Sequence, residues 1–449
     1  MASFAAPEHE KVCDAMTGPL SPSPLTQAGE GDSEAPSAHF QVNEGCRTTM
    51  SRAMGFRPAW WLRNPHLQTL WPYLLRRAAC TGLYRERLEL PDGDYVDLDW
   101  ARRDGPVLVL ILHGLEGSSR SPYAAGLLRA LSRCGCQAVL MHFRGCSGEV
   151  NRLPRSYHSG DTGDVAYVVD ALRARQPRTP IAVVGFSLGG NVLLKWLGET
   201  GVNAPLAAAV AVSVPFDLAK AALRLNQGFS RLYQWKLLRS LKRKTALKFS
   251  RMAAPVKLGP LSALSSFRRF DDRVTAPLHG FRDADHYYAE ASSRRYLSDI
   301  RAPTLVIHAL DDPFMTPDTP PRPGEIPQAV TLELSRHGGH VGFVSGPPWR
   351  PRYWHEQRIC DFLTEHLLAT SAPANGASAV QGRDATSGDN PPVTETDARA
   401  IACLMHKNGS GTRFVLGSGH RPREASEQAN GHERPGQEPG AATLHTDHP

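Results

Sequence analysis

The residue in this chain best suited to nucleophilic chemistry is a serine set between glycines. The stretch VVGFSLGGNVLLKWL, residues 183–197, places Ser187 between an apolar run and a helix-like segment. A sharp strand-to-helix turn exposes the serine oxygen, and glycines at 185 and 189 let neighbouring backbones pass closely. The helix that follows points its amide N–H groups towards developing negative charge. Because G-x-S-x-G is a short pattern, it predicts a nucleophile only in this strand–turn–helix setting.

Acyl transfer by a serine also needs two amide donors for a negatively charged oxygen. The residue after the nucleophile, Leu188, supplies one of them. The loop HGLEGSS follows the predicted strand over residues 107–112. It contains two glycines, which have no side chains and so allow the loop backbone to lie close to the site. The sequence therefore predicts an oxyanion hole made by the backbone N–H groups of Leu115 and Leu188.

A serine nucleophile further needs a histidine as base and a carboxylate that orients the histidine. IHALDDPF places Asp311 and Asp312 at the end of one predicted strand. SRHGGHVGF places His337 and His340 at the end of the next, and such strand ends face the ligand-binding crevice of a parallel sheet. We select His340 because it lies in the GGHVGF loop, whereas His337 ends the strand. We select Asp312 because it directly precedes the proline turn, and we expect Asp311 to bind loop backbone.

Alternating strand-like and helix-like segments must position these residues. After an opening pair, YRERLEL and DYVDLDWAR, apolar strands alternate with amphipathic helices through the rest of the chain. This alternation predicts an α/β fold with a mostly parallel, doubly wound sheet. Asp161 is the expected N-cap of the helix in DTGDVAYVVDALRARQ. The three acids of DYVDLDW are assigned to the outer face of a strand, and we expect no metal site there.

Positive charge is concentrated in one long break between strands. The chain has 51 Lys and Arg against 44 Asp and Glu, and residues 219–270 contain 13 of the former and none of the latter. Within RLYQWKLLRSLKRKTALKF, apolar residues recur at near-helical spacing, at Leu232, Trp235, Leu238 and Leu241. An amphipathic insertion at this point predicts a helical lid at about residues 217–298. Its charge fits either a solvated helix face or contact with an anionic membrane surface.

Composition limits the remaining possibilities. Residues 1–50 and 371–449 are rich in small polar residues and predict disordered tails around one domain at 51–370. The eight cysteines form no C-x-x-C pair, which favours reduced thiols over disulfides or zinc. No signal-peptide pattern and no membrane-length apolar run is present, so we expect a cytoplasmic protein. We expect no cofactor, no metal and no nucleic-acid partner.

Taken together, seven segments of this chain resemble the α/β-hydrolases of the bacterial YheT-like group, which is related to animal abhydrolase-domain lipases and phospholipases. These segments are NPHLQTLWP, LHGLEGSSRSPY, HFRGCSG, YHSGDTGD, GFSLGGN, ALDDPF and HGGHVGF. They cover roughly residues 55–367. The resemblance implies an α/β-hydrolase fold and a serine hydrolase that acts on carboxylic esters without a cofactor. It also implies a catalytic triad of Ser187, Asp312 and His340. We expect short- to medium-chain acyl or lipid esters as substrates.

Two other functions fit the same residues. An acyltransferase would use the same acyl-enzyme but resolve it with an alcohol other than water, and a non-catalytic protein would hold an anionic lipid in the pocket. Among the matched segments, we expect His66 to tie the N-terminal segment to the domain and His158 to brace the loop before the next helix. Arg144, Gly145 and Cys146 either hold their loop near the pocket or form a plain turn.

Overall fold

The central element of the molecule is a sheet whose strands are mostly parallel. The computed structural model describes residues 55–76 and 82–369, and the segments assigned to tails lie outside the described residues. The strands are β1 (Tyr84–Glu89), β2 (Tyr95–Arg102), β3 (Leu108–Leu112), β4 (Gln137–His142), β5 (Ile181–Phe186), β6 (Ala208–Val212), β7 (Thr304–Ala309) and β8 (Val330–Ser335). Their spatial order is β1-β2-β4-β3-β5-β6-β7-β8. β1 and β2 form an antiparallel hairpin, β2 is antiparallel to β4, and the other strands are parallel, which confirms the α/β prediction.

Helices cover both faces of this sheet. They are α1 (Pro65–Leu75), α2 (Pro122–Arg133), α3 (Gly163–Arg175), α4 (Leu188–Thr200), α5 (Leu218–Leu225), α6 (Ser230–Phe249), α7 (Phe267–Phe270), α8 (Ala276–Leu278), α9 (Ala284–Ala291) and α10 (Trp354–Ala369). A π-helical turn, Asp271–Thr275, joins α7 to α8. A small hairpin of β9 (Val344–Ser345) and β10 (Arg352–Tyr353) precedes α10.

Alternate residues of each central strand enter two separate apolar cores. On β3, Leu108, Leu110 and Leu112 pack with residues of α3 and α4. Val109 and Ile111 pack on the opposite face with residues of α2 and α10. Every residue of β3 is apolar and buried, as expected for a strand of a parallel sheet that is covered on both faces.

Helices α5 to α9 lie between β6 and β7 and form a layer of their own, which we call the lid. Its apolar core includes Leu225 of α5, Leu238 of α6 and Phe267 of α7. The apolar face predicted for α6 is wrong at Leu232 and Trp235, which are 49% and 57% exposed.

Two buried residues next to them explain why Leu232 and Trp235 face outward. Tyr233 and Gln234 point inward, and the Gln234 amide donates to Asn226 and accepts from the backbone N–H of Phe267. A buried amide needs such partners, so they turn the preceding and following apolar residues outward.

The acids of DYVDLDW are not on an outer face, so that assignment is wrong. Asp97 and Asp99 are buried because arginines of the neighbouring strand cover them. Arg87 lies opposite Asp97 and Arg85 opposite Asp99 in the β1–β2 pairing, with N–O distances of 2.8 and 2.7 Å. Cross-strand pairing explains the burial of these carboxylates, since each charge is matched by its partner.

The predicted N-cap of α3 is also wrong. The helix begins at Gly163, its N-cap is Thr162, and no side chain caps it. Asp161 instead accepts two hydrogen bonds of 2.9 Å from Arg155. The carboxylate of Asp161 therefore binds the Arg155 guanidinium and not the first amide groups of the helix.

Candidate functional site

Ser187 occupies the sharp turn between β5 and α4. Its φ of +52° and ψ of −116° lie outside the regions that non-glycine residues favour. Its backbone N–H donates to the carbonyl of Val212 on the neighbouring strand at 2.8 Å. The surrounding sheet and helix hold this strained conformation, which projects the serine side chain from the end of the strand.

The glycines around Ser187 are required by close backbone approach. A Cβ on Gly189 would lie 2.5 Å from the carbonyl oxygen of Leu112. A Cβ on Gly185 would lie 2.5 Å from the carbonyl oxygen of Gly189. Neither space admits a side chain, which confirms the reason given for glycine at both positions.

The structure brings Ser187, His340 and Asp312 into one chain of hydrogen bonds. His340 Nε2 lies 3.0 Å from Ser187 Oγ, and His340 Nδ1 lies 2.8 Å from Asp312 Oδ2. The other carboxylate oxygen of Asp312 accepts the backbone N–H of Phe314 at 2.8 Å. Asp312 is only 3% exposed, so its charge faces the imidazole with little solvent screening.

The neighbouring acid and histidine form a separate pair. Asp311 accepts the backbone N–H of Gly339 at 3.0 Å, and its other oxygen lies 3.3 Å from His337 Nδ1. Burial raises the pKa of Asp311. This pair braces the loop that contains His340, in keeping with the backbone contact expected of Asp311.

Helix α1 and the loop after β7 support His340 from both sides. Thr69 Oγ1 accepts the backbone N–H of His340 at 2.9 Å. The ring of Phe314 lies parallel to the imidazole, with 3.9 Å between centroids. Gly339 has a φ of +59°, and a Cβ there would lie 2.5 Å from the carbonyl oxygen of Pro65. Sequence reasoning missed Thr69 and Phe314, although both lie in segments that the resemblance singled out.

The loop after β3 approaches Ser187 closely and keeps one amide unpaired. A Cβ on Gly114 would lie 3.3 Å from Ser187 Cβ. The N–H groups of Gly114 and Glu116 donate to tyrosine hydroxyls at 2.8 and 2.9 Å, and that of Gly117 donates to the Gly114 carbonyl at 2.9 Å. Within residues 55–76 and 82–369, no acceptor is found for the N–H of Leu115.

The second predicted amide donor is at the beginning of α4. Leu188 is the first residue of that helix, so its N–H has no intrahelical acceptor. Leu115 and Leu188 both line the cavity that contains Ser187. Among the residues that the structure describes, neither of these two amide groups has a protein acceptor, and such groups can bind a negatively charged oxygen.

His113 fixes the base of this loop as a neutral side chain. Its Nδ1 donates to the carbonyl of Gly114 at 2.7 Å, and its Nε2 accepts the backbone N–H of Phe143 at 3.1 Å. Burial lowers the pKa of His113 to about 3. It is thus a structural histidine with one proton, and both ring nitrogens hold backbone in place.

An apolar cavity of about 170 Å³ lies between Ser187 and the lid. Its apolar lining comes mainly from the lid and includes Leu218, Leu225, Leu237, Leu241, Phe267 and Phe270. Polar residues at its wall include Glu116, Lys244 and Asp271. Burial raises the pKa of Asp271 to about 6, against hydrogen bonds of 2.7 Å from Thr275 and Tyr288. The cavity can hold a mainly hydrocarbon group beside the serine.

The other residues singled out in the sequence have structural contacts. His66 Nδ1 lies 3.1 Å from the Tyr233 hydroxyl, so the N-terminal segment is tied to the lid. His158 accepts the backbone N–H of Gly160 at 3.1 Å and thereby braces its own loop. The buried Arg144 binds Asp164 through two nitrogens at 2.7 and 2.6 Å, which fixes its loop beside the cavity.

Four cysteines lie in the described part of the chain. Cys134, Cys136, Cys146 and Cys360 are free thiols there. No helix in the described part of the chain has both the length and the apolar character needed to cross a bilayer.

Comparison with known proteins adds the following. The family described as alpha/beta hydrolase fold matches residues 107–347. The chain is 45% identical over 338 residues to YheT of Escherichia coli, whose name gives a provisional esterase assignment; the match covers 74% of this chain and 99% of that protein. It is 32% identical over 269 residues to a monoacylglycerol lipase of Saccharomyces cerevisiae, covering 58% of this chain and 59% of the lipase. It is 31% identical over 322 residues to the medium-chain fatty acid ethyl ester synthase/esterase 2 of the same yeast, covering 66% of this chain and 67% of that enzyme.

Proposed function

We propose a serine-hydrolase function, with carboxylic esters as substrates, for this chain, which belongs to the α/β-hydrolase family. The observation that supports the proposal most strongly is the chain of hydrogen bonds from Ser187 through His340 to Asp312. An unreactive lipid-binding protein has no need of this alignment, so the geometry favours an enzyme over the non-catalytic alternative. The relatives named esterase and lipase support the same class of reaction.

In the proposed mechanism, Ser187 Oγ attacks the ester carbonyl carbon while His340 Nε2 takes the serine proton. Asp312 holds the proton on Nδ1, which leaves Nε2 free to accept. The N–H groups of Leu115 and Leu188 bind the oxygen as it becomes negative. Collapse of this intermediate releases the alcohol, which receives the proton from His340. Water then attacks the acyl-enzyme with His340 as base, and the free acid leaves.

The proposed substrates are small-molecule esters or lipids with a short- to medium-chain acyl group. The support comes from the cavity that contains Ser187, whose apolar lining includes Leu and Phe side chains from the lid. Such a lining binds hydrocarbon by removing it from water. The acyl chain is therefore the part of the substrate that suits these apolar side chains.

A second candidate function is acyl transfer to an alcohol, favoured by the relative named both synthase and esterase. We expect that incubation with p-nitrophenyl butyrate and increasing ethanol yields mainly butyric acid, with ethyl butyrate a minor product. The reason is that a hydrolase has no dedicated binding site for the alcohol, so water is the main nucleophile that attacks the acyl-enzyme. Product analysis by gas chromatography measures the ratio. Ethyl ester as the main product at low ethanol would assign the protein as a transferase, whereas no release of p-nitrophenol would contradict both functions.

The lid also presents an exposed surface suited to an anionic lipid bilayer. Leu232 and Trp235 of α6 are exposed, and so are the cations around them, Arg231, Lys236, Arg239 and Arg243. Helix α1 continues the surface, because Lys236 Nζ lies 3.7 Å from the ring centroid of Tyr73. Apolar side chains among cations on a helix are typical of segments that lie in a membrane interface. We therefore propose that the protein also binds the surface of anionic membranes through α6.

We expect the protein to co-sediment with phosphatidylserine vesicles and to be released as ionic strength rises, because salt screens the attraction between cations and lipid headgroups. Leu232→Asn should weaken this binding. Leu334→Asn is the matched control, since Leu334 is similarly exposed but lies on β8. Absence of binding, binding that is insensitive to salt, or equal effects of the two variants would contradict the membrane contact.

A further inference from the structure

The loop that contains Leu115 is fastened to the lid through the next residue, Glu116. The Glu116 side chain is only 4% exposed. Its carboxylate accepts the Tyr157 hydroxyl at 2.9 Å, the Lys244 ammonium at 3.0 Å and the Ser240 hydroxyl. Ser240 and Lys244 lie one turn apart on α6, whereas Tyr157 belongs to the loop before α3. One carboxylate thus joins the proposed oxyanion loop to the lid.

Glu116 is also the strained residue of this loop. Its φ is +57°, a left-handed conformation that is unfavourable for a residue other than glycine and persists only where contacts enforce it. The Tyr157 hydroxyl accepts the Glu116 N–H and donates to the Glu116 carboxylate. On the other side, the N–H of Gly114 is held by Tyr123. The amide of Leu115 therefore lies between two anchored peptide groups, and its direction depends on both anchors.

Charge gives the contact between Glu116 and Lys244 a second consequence. An unpaired carboxylate one residue from an oxyanion donor would oppose negative charge on the substrate oxygen. Burial lowers the pKa of Lys244, but Cys146 and Glu116 more than offset this effect and the pKa is raised overall. The ammonium is therefore protonated at neutral pH and cancels the charge of Glu116. The carboxylate that pairs with this lysine belongs to the loop after β3 and not to the lid.

We propose that Glu116 is a positioning residue that holds the oxyanion loop in its working geometry only while α6 lies over the cavity. This inference rests on the proposed serine-hydrolase function and adds a coupling between the lid and the oxyanion hole. When α6 moves away, the carboxylate loses the Ser240 and Lys244 donors. The loop is then held less firmly, and an uncompensated negative charge remains beside the hole. Acyl transfer is therefore fast only in the closed state.

A double-mutant cycle on p-nitrophenyl butyrate hydrolysis tests the coupling. We expect Lys244→Met to lower kcat by about 10- to 100-fold with KM within about 2-fold, the range expected for a displaced oxyanion donor. Glu116→Gln should lower kcat less, because its amide oxygen still accepts from α6 and no unpaired carboxylate is left beside the oxyanion hole. The double variant should recover part of the kcat lost in Lys244→Met, since the stranded carboxylate is gone.

Further variants separate positioning from a merely structural role. Lys244→Arg keeps the charge and should restore most of kcat. Ser240→Ala removes one neutral donor and should lower kcat modestly with unchanged KM, which tests the same contact if Lys244→Met does not fold. Lys242→Met is the matched control, since Lys242 donates to the carbonyl of Ser262 within the lid, and its kcat should equal that of the wild type.

Three results would overturn the coupling. The first is that the effects of the two substitutions on kcat are strictly additive in the double variant. The second is a higher KM with unchanged kcat. The third is a lower melting temperature with unchanged kcat in Lys244→Met and Ser240→Ala. Failure of the underlying function is distinguishable, because it would appear as wild-type turnover that is absent or survives Ser187→Ala. Wild-type turnover that requires Ser187 but is indifferent to Glu116, Ser240 and Lys244 would reject only the coupling.

Discussion

Ser187→Ala is expected to lower kcat/KM for an activated ester by at least about 10⁴-fold, because the variant lacks the oxygen that forms the acyl-enzyme in the proposed mechanism. The substitution removes one oxygen and keeps the Cβ, so the turn at the end of β5 retains its packing. The residual rate should be close to that of the buffer, apart from catalysis by the oxyanion donors and binding. Initial rates with p-nitrophenyl butyrate measure the effect directly.

Folding of the Ser187→Ala variant must be checked before this loss is assigned to chemistry. The strained turn is held by the N–H of residue 187, which donates to Val212 and is unchanged by the substitution. We therefore expect a circular dichroism spectrum and melting temperature close to those of the wild type. A folded variant that keeps its turnover would contradict the assignment of Ser187 as the nucleophile.

Asp312→Asn is expected to lower kcat by roughly 10⁴-fold, the order of magnitude expected when the carboxylate of a Ser-His-Asp triad becomes an amide. The asparagine amide can donate to His340 Nδ1, which favours the tautomer with its proton on Nε2. That proton faces Ser187 Oγ, so the imidazole can no longer accept from the serine. The 3.0 Å contact between His340 and Ser187 would persist with its polarity reversed.

The adjacent acid provides the matched control for this substitution. Asp311→Asn keeps an oxygen for the backbone N–H of Gly339 and does not face His340. We expect its kcat to stay within about 3-fold of the wild type, since it acts only on the loop. Equal losses in the two variants, or a larger loss in Asp311→Asn, would contradict the selection of Asp312. The pH profile of kcat/KM is a second readout, because only a change at the His340 pair should alter it.

The sequence was sufficient for those parts of the fold that depend on local patterns. The alternation of apolar strands with amphipathic helices predicted the parallel sheet, and the G-x-S-x-G motif predicted the sharp strand-to-helix turn at Ser187. The α/β-hydrolase resemblance is confirmed by the family match over residues 107–347. The sheet and the turn could be predicted because each element depends on the pattern of residues within one strand, turn or helix.

The errors and omissions arose where distant segments decide the outcome. The carboxylates of Asp97 and Asp99 are buried because arginines of the paired strand reach them, which strand periodicity does not reveal. Thr69 binds the backbone of His340 across 271 positions of sequence. Glu116 binds Ser240 and Lys244 of α6, which are 124 and 128 positions away in the sequence. Tertiary partners, rather than local propensity, set the positions of all these side chains.

The measurement that tests the central claim most directly is the site of covalent labelling by a fluorophosphonate. An activated serine attacks its phosphorus and displaces fluoride, while the oxyanion donors bind its phosphoryl oxygen, so reaction requires the assembled group and not merely an exposed hydroxyl. We predict one adduct per wild-type chain, located by peptide mass spectrometry on Ser187 and absent from folded Ser187→Ala. An unlabelled wild-type protein, or an adduct on another residue while Ser187 remains free, would contradict the proposed function.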